Sequence, residues 1–202
     1  MQINTHFSPS FQKKLMAKTE LKRLDEKVPC NIYLLNSSED EDYLIDQVHE
    51  KPWGDAYYFP TICKDFIETK YYTHPLVGFY SMEDEDGNCL AILEEIKNSS
   101  GSRRSIEFLE VVPAYANRNG DREIKYIGET MVAFLAALSD KKSELFVGLP
   151  ADDAKFFWYN LGFEKKNKRY VSMSLPVNKL DALVKRNEEH TGSKIEFERW
   201  VW

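Results

Sequence analysis

A glycine at the head of an amphipathic segment is the first place in this chain where residue types suggest chemistry. Gly128, Glu129 and Thr130 open a stretch in which Ile127, Met131, Phe134, Leu135 and Leu138 recur with helical period. The first N–H groups of a helix lack intrahelical acceptors, and the helix dipole adds partial positive charge there, so such a start can hold a phosphate. Residues 106–112 lead into it as an apolar strand closed by Pro113. Residues 144–149 follow as a nearly unbroken apolar run, the pattern of a strand covered on both faces. Strand, glycine turn, helix and strand together can grip a phosphate-bearing cofactor. A second group lies upstream, where Trp53, Tyr57, Tyr58 and Phe59 surround Asp55. Aromatic faces with an interspersed acid can hold an ammonium group by cation–π and charge contacts.

Other elements must position these two groups. Residues 8–26 read as a helix: Ser8 can cap it, Pro9 suits its first turn, and Phe11, Leu15, Leu21 and Leu24 make a partial apolar stripe. Residues 31–35 form a first strand. Ser37 and Ser38 precede acidic residues and start a helix reaching about residue 49, with Tyr43, Leu44 and Val48 inward. A further helix covers about 60–69. Residues 76–82 and 88–96 alternate as strands across Asp86-Gly87, a strong hairpin signal. A turn at 98–102 leads into a third strand, 103–112. Asp152 or Asp153 caps a short helix ending at Asn160, which Gly162 stops in a left-handed turn. A late strand (171–175), a helix (178–189) and an extended tail (195–202) close the chain.

The chain has 202 residues with 43% hydrophobic and 30% charged content, which fits one globular core. Its net charge of −6 argues against broad nucleic-acid binding, including a tRNA-directed role, because phosphate contact needs a positive face. Cys30, Cys63 and Cys89 cannot all pair, and neither they nor the scattered His6, His49, His74 and His190 show metal spacing. No metal, no membrane contact and a cytoplasmic location are expected, since neither a secretion signal nor a spanning stretch is visible.

The order β, α, α, β, β, β, α, β, α, β resembles the GCN5-related N-acetyltransferase (GNAT) superfamily. So do Leu109-Glu110-Val111-Val112-Pro113 at one end and Leu161-Gly162-Phe163 at the other. The resemblance covers about 31–175. It implies an α/β (α+β) fold: a mixed, mostly antiparallel central sheet flanked by helices. To this are added an N-terminal helical extension (1–30) and a C-terminal helix with an aromatic tail (176–202). Phe197, Trp200 and Trp202 in that tail are expected to be covered by the domain or by a second copy in a homodimer.

The resemblance also implies roles. Acetyl-CoA is the co-substrate, gripped along Tyr126, Ile127, Gly128, Glu129 and Thr130. Gly128 stands at the last position of the family's Arg/Gln-x-x-Gly-x-Gly/Ala loop, while Glu123 and Tyr126 replace its first and middle residues. Arg122 or Lys125 can supply the missing positive charge. The backbone N–H of Val111 or Val112 would polarise the thioester carbonyl. Glu107 or Glu110, with Glu94 and Glu95 as further options, would take the proton from the amine. In a regular strand Glu107 and Glu110 face opposite ways. The family's acid Tyr falls on Trp158, leaving Tyr159 one residue away. Trp53, Tyr57 and Tyr58 would line the acceptor pocket. The expected activity is acetyl transfer to a primary amine of a small molecule or a protein. The alternative is a fold-retaining protein that binds acyl-CoA as a sensor or interaction module.

Overall fold

The structure, a computed structural model, describes residues 13–35, 38–50, 53, 61, 63–64, 66, 68, 76–116, 123–139, 142–166 and 171–201. Strand β1 (Lys14–Arg23) occupies most of the segment expected as an N-terminal helix. Ala17, Thr19 and Leu21 are buried while Lys18 and Lys22 are exposed, a period of two and not of 3.6. Leu24 and Asp25 turn the chain into β2 (Glu26–Leu35), with Arg23 opposite Glu26. Leu24 adopts a left-handed φ of 50°. A turn of this kind usually shows a glycine or asparagine, so the hairpin left no signal there. Pro29 lies inside β2, one residue before pairing with the next strand begins at Cys30, where its missing N–H removes no bond from that ladder.

Helix α1 (Ser38–Glu50) follows, with Leu44 inward as expected. Thr61, Cys63, Lys64, Phe66 and Glu68 are helical, in line with the helix anticipated over 60–69. Strands β3 (Val77–Asp84), β4 (Cys89–Lys97) and β5 (Arg103–Val111) form the expected antiparallel meander. A single turn, α2 (Pro113–Ala116), follows. Then β6 (Ile124–Lys125) pairs back onto β1, and α3 (Ile127–Leu138) leads to β7 (Glu144–Val147). Helix α4 (Lys155–Asn160), β8 (Glu164–Lys165), β9 (Met173–Leu175), α5 (Leu180–Thr191) and β10 (Glu196–Phe197) complete the chain.

The sheet runs β10-β1-β2-β3-β4-β5-β7-β9-β8, and β5–β7 is its parallel pair. One face, with Leu21, Ile32, Met82, Leu93 and Leu145, packs on Met131, Phe134 and Leu135 of α3. The opposite face carries a second cluster that includes Leu44, Trp53, Phe66, Phe79, Ile92 and Val112. The two ends of the chain join the same sheet. Phe197 pairs opposite Ala17 and stacks on Phe134 with centroids 5.6 Å apart. Trp200 is 43% exposed in the single chain, with Lys14 Nζ 3.6 Å above its ring. No helix among the described residues is long and apolar enough to cross a membrane.

Candidate active site

β5 and β7 pair from Arg103–Glu144 to Ile106–Val147, and there β7 ends. β5 continues for five residues held only by β4. On that side residues 107–111 have no strand partner, which leaves a gap in the sheet's pairing next to the head of α3. The direction of the backbone donors follows from the ladder. Val112 N–H donates to the Leu90 carbonyl at 2.9 Å, so it is spent on β4. N–H directions alternate along an antiparallel strand, so Val111 and Leu109 point theirs toward the gap. Of the two expected donors, Val111 is the one so placed.

Gly128 sits where β5, α3 and α4 converge. A Cβ built there would lie 3.3 Å from the Phe157 ring and 3.5 Å from Val111 Cγ2. Glycine lets the helix head approach β5 this closely. The turn into α3 is made by Tyr126, which holds φ 68° with a non-glycine side chain. That costs about 1–2 kcal/mol. The ring stacks on His190, centroids 4.8 Å apart, which offsets part of it. Thr130 N–H already donates to the Tyr126 carbonyl at 2.8 Å. The helix donors without an intrahelical acceptor are thus those of Ile127, Gly128 and Glu129.

The Glu129 and Thr130 side chains turn to α5. His190 Nδ1 lies 2.9 Å from Glu129 Oε1, Arg186 Nε lies 3.6 Å from it, and Asn187 Nδ2 donates to Thr130 Oγ1 at 2.9 Å. Lys125 is exposed and paired in β6 opposite Lys22, off the helix head. Arg122, Tyr57 and Tyr58 lie outside the described residues.

One of the two candidate bases sits on a bulge. Glu94 opposes Phe108 and Glu95 opposes Ile106, so Glu107 is the extra residue of β5. Past it, Phe108 and Val112 pack with the second cluster, while Leu109 and Val111 pack with the α3 cluster. Glu110 shares the face of Phe108 and Val112, opposite α3. Glu107 is exposed, yet the neighbouring sheet desolvates its carboxyl and raises its pKa. Glu95 is committed elsewhere: it accepts from the Tyr80 hydroxyl at 2.7 Å and from Arg104 at 3.0 Å.

Trp158 is buried and packs edge-on to Phe157 and Phe163. Tyr159 is 41% exposed, on a different side of α4 from Phe157, the ring that meets Gly128. Trp53 is 1% exposed and its indole N–H donates to the Cys89 carbonyl at 3.2 Å, so it forms part of the wall behind the second face. Sequence reasoning missed Phe157 as a wall of the gap, and Arg186, Asn187 and His190 as supports of the helix head. Arg186 and Asn187 precede His190 by four and three residues, the spacing of one helix face, and that was the available signal.

No protein-family model and no curated protein matches the chain. Solved structures do. The chain resembles AtaT in an AtaT–AtaR complex bound to DNA, with TM-score 0.56 and 14% identity over 75% of this chain and 97% of that one. It resembles a protein from an Exiguobacterium species assigned as an acetyltransferase, with TM-score 0.54 and 15% identity over 76% and 96%. It also resembles mutant forms of the spermidine/spermine N-acetyltransferase SpeG from Vibrio cholerae, with TM-score 0.51 and 12% identity over 76% and 96%. The chain shares its fold with these acetyltransferase structures, as the resemblance implied.

Proposed function

We propose that this protein is an N-acetyltransferase that moves an acetyl group from acetyl-CoA to a primary amine of a small molecule or protein. The observation that carries this reading is the gap beside residues 107–111 of β5, flanked by the head of α3. The N–H groups at 127–129 suit a pyrophosphate, and Gly128 leaves room for close approach. The Val111 N–H suits the carbonyl oxygen of a thioester, where a fixed donor stabilises the developing oxyanion.

The amine nitrogen attacks the thioester carbon, forming the C–N bond. The C–S bond then breaks, and the electron pair leaves with sulfur. Glu110, on the face opposite α3, takes the proton from the nitrogen directly or through water. Solvent protonates the thiolate, because Trp158 has no acidic proton near neutral pH and Tyr159 faces outward. The SpeG neighbours act on spermidine and spermine, which supports an aliphatic amine as acceptor.

A second reading has its own support. Tyr126 stands where the family pattern has glycine, and a carboxylate, Glu129, occupies the first turn. Calorimetry with acetyl-CoA, paired with a thiol-release assay over a panel of amines, separates the two. Binding with turnover is expected. Binding without turnover identifies a sensor, and no binding at roughly 1 mM, the upper end of ordinary KM values, overturns both.

A further inference from the structure

We propose that the face opposite α3 carries a binding site for an external alkylammonium group, and that Lys13 occupies it as a stand-in. Lys13 Nζ donates to Glu83 Oε1 at 2.5 Å, with the two side chains only 15% and 7% exposed. The Ser81 hydroxyl donates to the same oxygen at 3.1 Å. The ammonium lies 3.3 Å from the Tyr43 ring centroid and 5.5 Å from that of Tyr33. A buried carboxylate beneath two aromatic faces is a receptor for a primary ammonium, recognised by charge, hydrogen bond and cation–π contact together. The Tyr43 hydroxyl is buried and makes no hydrogen bond of normal geometry among the described residues. It lies beside Glu83 and Cys89, so its polar end faces the same carboxylate as the ammonium.

The occupant is the part least fixed by the fold. Glu83 and Ser81 lie in β3, Tyr33 in β2 and Tyr43 in α1, each held by pairing or by the helix. Lys13 lies outside the β1–β2 ladder, whose first pair is Lys14–Leu34. Its side chain can leave without breaking a sheet bond. Removing Lys13 strands a buried carboxylate, which is costly unless another cation replaces it. A neutral ligand cannot do so.

The location ties the box to the gap. Ser81 and Glu83 share the face of Phe79, which packs with Ile92 and Val112. Glu83 opposes Cys89, and the next residue, Leu90, accepts the Val112 N–H. The box and the end of β5 are therefore two strands apart, about 10 Å at ordinary strand spacing. An acceptor with two ammonium groups about that far apart could anchor one in the box and present the other at the gap. That use rests on the acetyltransferase reading, but the site itself does not.

The test is chemical rescue. Lys13→Ala should unfold at a lower temperature than wild type, and n-butylammonium should raise its midpoint by roughly 5 °C at a hundredfold excess over its Kd. n-Butanol should not. The double variant Lys13→Ala/Glu83→Gln should lose the response. Equal rescue of single and double variants, or no rescue of the single one, overturns the site. A second measurement covers a variant that fails to fold: in wild type, the 15N-lysine NMR signal of Lys13 Nζ, assigned with Lys13→Arg, should differ from those of exposed lysines and should move to their position with excess n-butylammonium but not with n-butanol. A Lys13 signal unmoved by n-butylammonium overturns the proposal. Thiol release from acetyl-CoA, measured alongside, reports on the enzymatic reading independently.

Discussion

Gly128 and Tyr126 divide between them what the family pattern gives to glycines. Gly128 is needed for space, since its missing Cβ faces the Phe157 ring at 3.3 Å. Tyr126 supplies the left-handed turn, held by the stack on His190. Gly128→Val should therefore lower acetyl-CoA affinity at least tenfold by calorimetry, because its branches push Phe157 and Val111 into the gap. An unchanged Kd would show that the cofactor does not pass there. Glu110→Gln should cut thiol release by roughly 10²-fold with acetyl-CoA binding intact, the usual size of one proton-transfer contribution. Glu107 makes a different prediction. Its carboxyl pKa is raised in the folded state by desolvation. The stability it contributes is fully present below the unfolded value of about 4.5 and is lost as pH rises through the folded value. Glu107→Gln should thus raise the urea midpoint at pH 7 but not at pH 4. The sequence showed both carboxylates near the strand end, but the bulge at Glu107 is set by pairing with β4. Strict alternation along β5 could not reveal it.

At the scale of elements, the hairpin of β3 and β4, the strand β5 and the helices α1, α3 and α5 were legible from hydrophobic period and turn residues. β1 was not. Leu15, Leu21 and Leu24 imitate a helical stripe, while the true period of two runs through Ala17, Thr19 and Leu21. Ala17 and Thr19 are weak hydrophobic markers, and Leu24 hides the turn. The parting of β5 from β7 was expected from resemblance and not from the residues themselves, since strand separation leaves no mark on composition. The support of α3 by α5 was not foreseen either. Helix α5 lies outside the part of the chain that carries the resemblance, yet it holds Tyr126, Glu129 and Thr130 through His190, Arg186 and Asn187. His190→Ala removes a stack and a charged hydrogen bond, so about 1–2 kcal/mol of stability should be lost in urea unfolding. Acetyl-CoA should bind more weakly because the helix head is less ordered. A loss of stability with wild-type affinity would limit α5 to a structural role.

Across the whole molecule, all three cysteines are buried, and burial pushes each thiol up to about 12 from an ordinary value of 9.0. Each sits in apolar packing: Cys30 with the α3 cluster, Cys63 and Cys89 with the second face. The thiolate is the reactive form. Aromatic disulfide reagents at pH 8 should therefore label no cysteine in the native protein and all three after unfolding in urea. The same shifts set an alkaline limit. Thiols with raised folded pKa values contribute stability that is whole below pH 9 and declines as pH climbs toward 12, because the unfolded chain then releases protons that the folded chain retains. Replacing Cys30 and Cys63 by Ala or Val should flatten that decline between pH 9 and 11 in urea-midpoint measurements, even where neutral stability falls from lost packing. An unaltered slope would mean that these sites are hydrated in solution and that the two sheet faces pack less tightly around them than the structure shows.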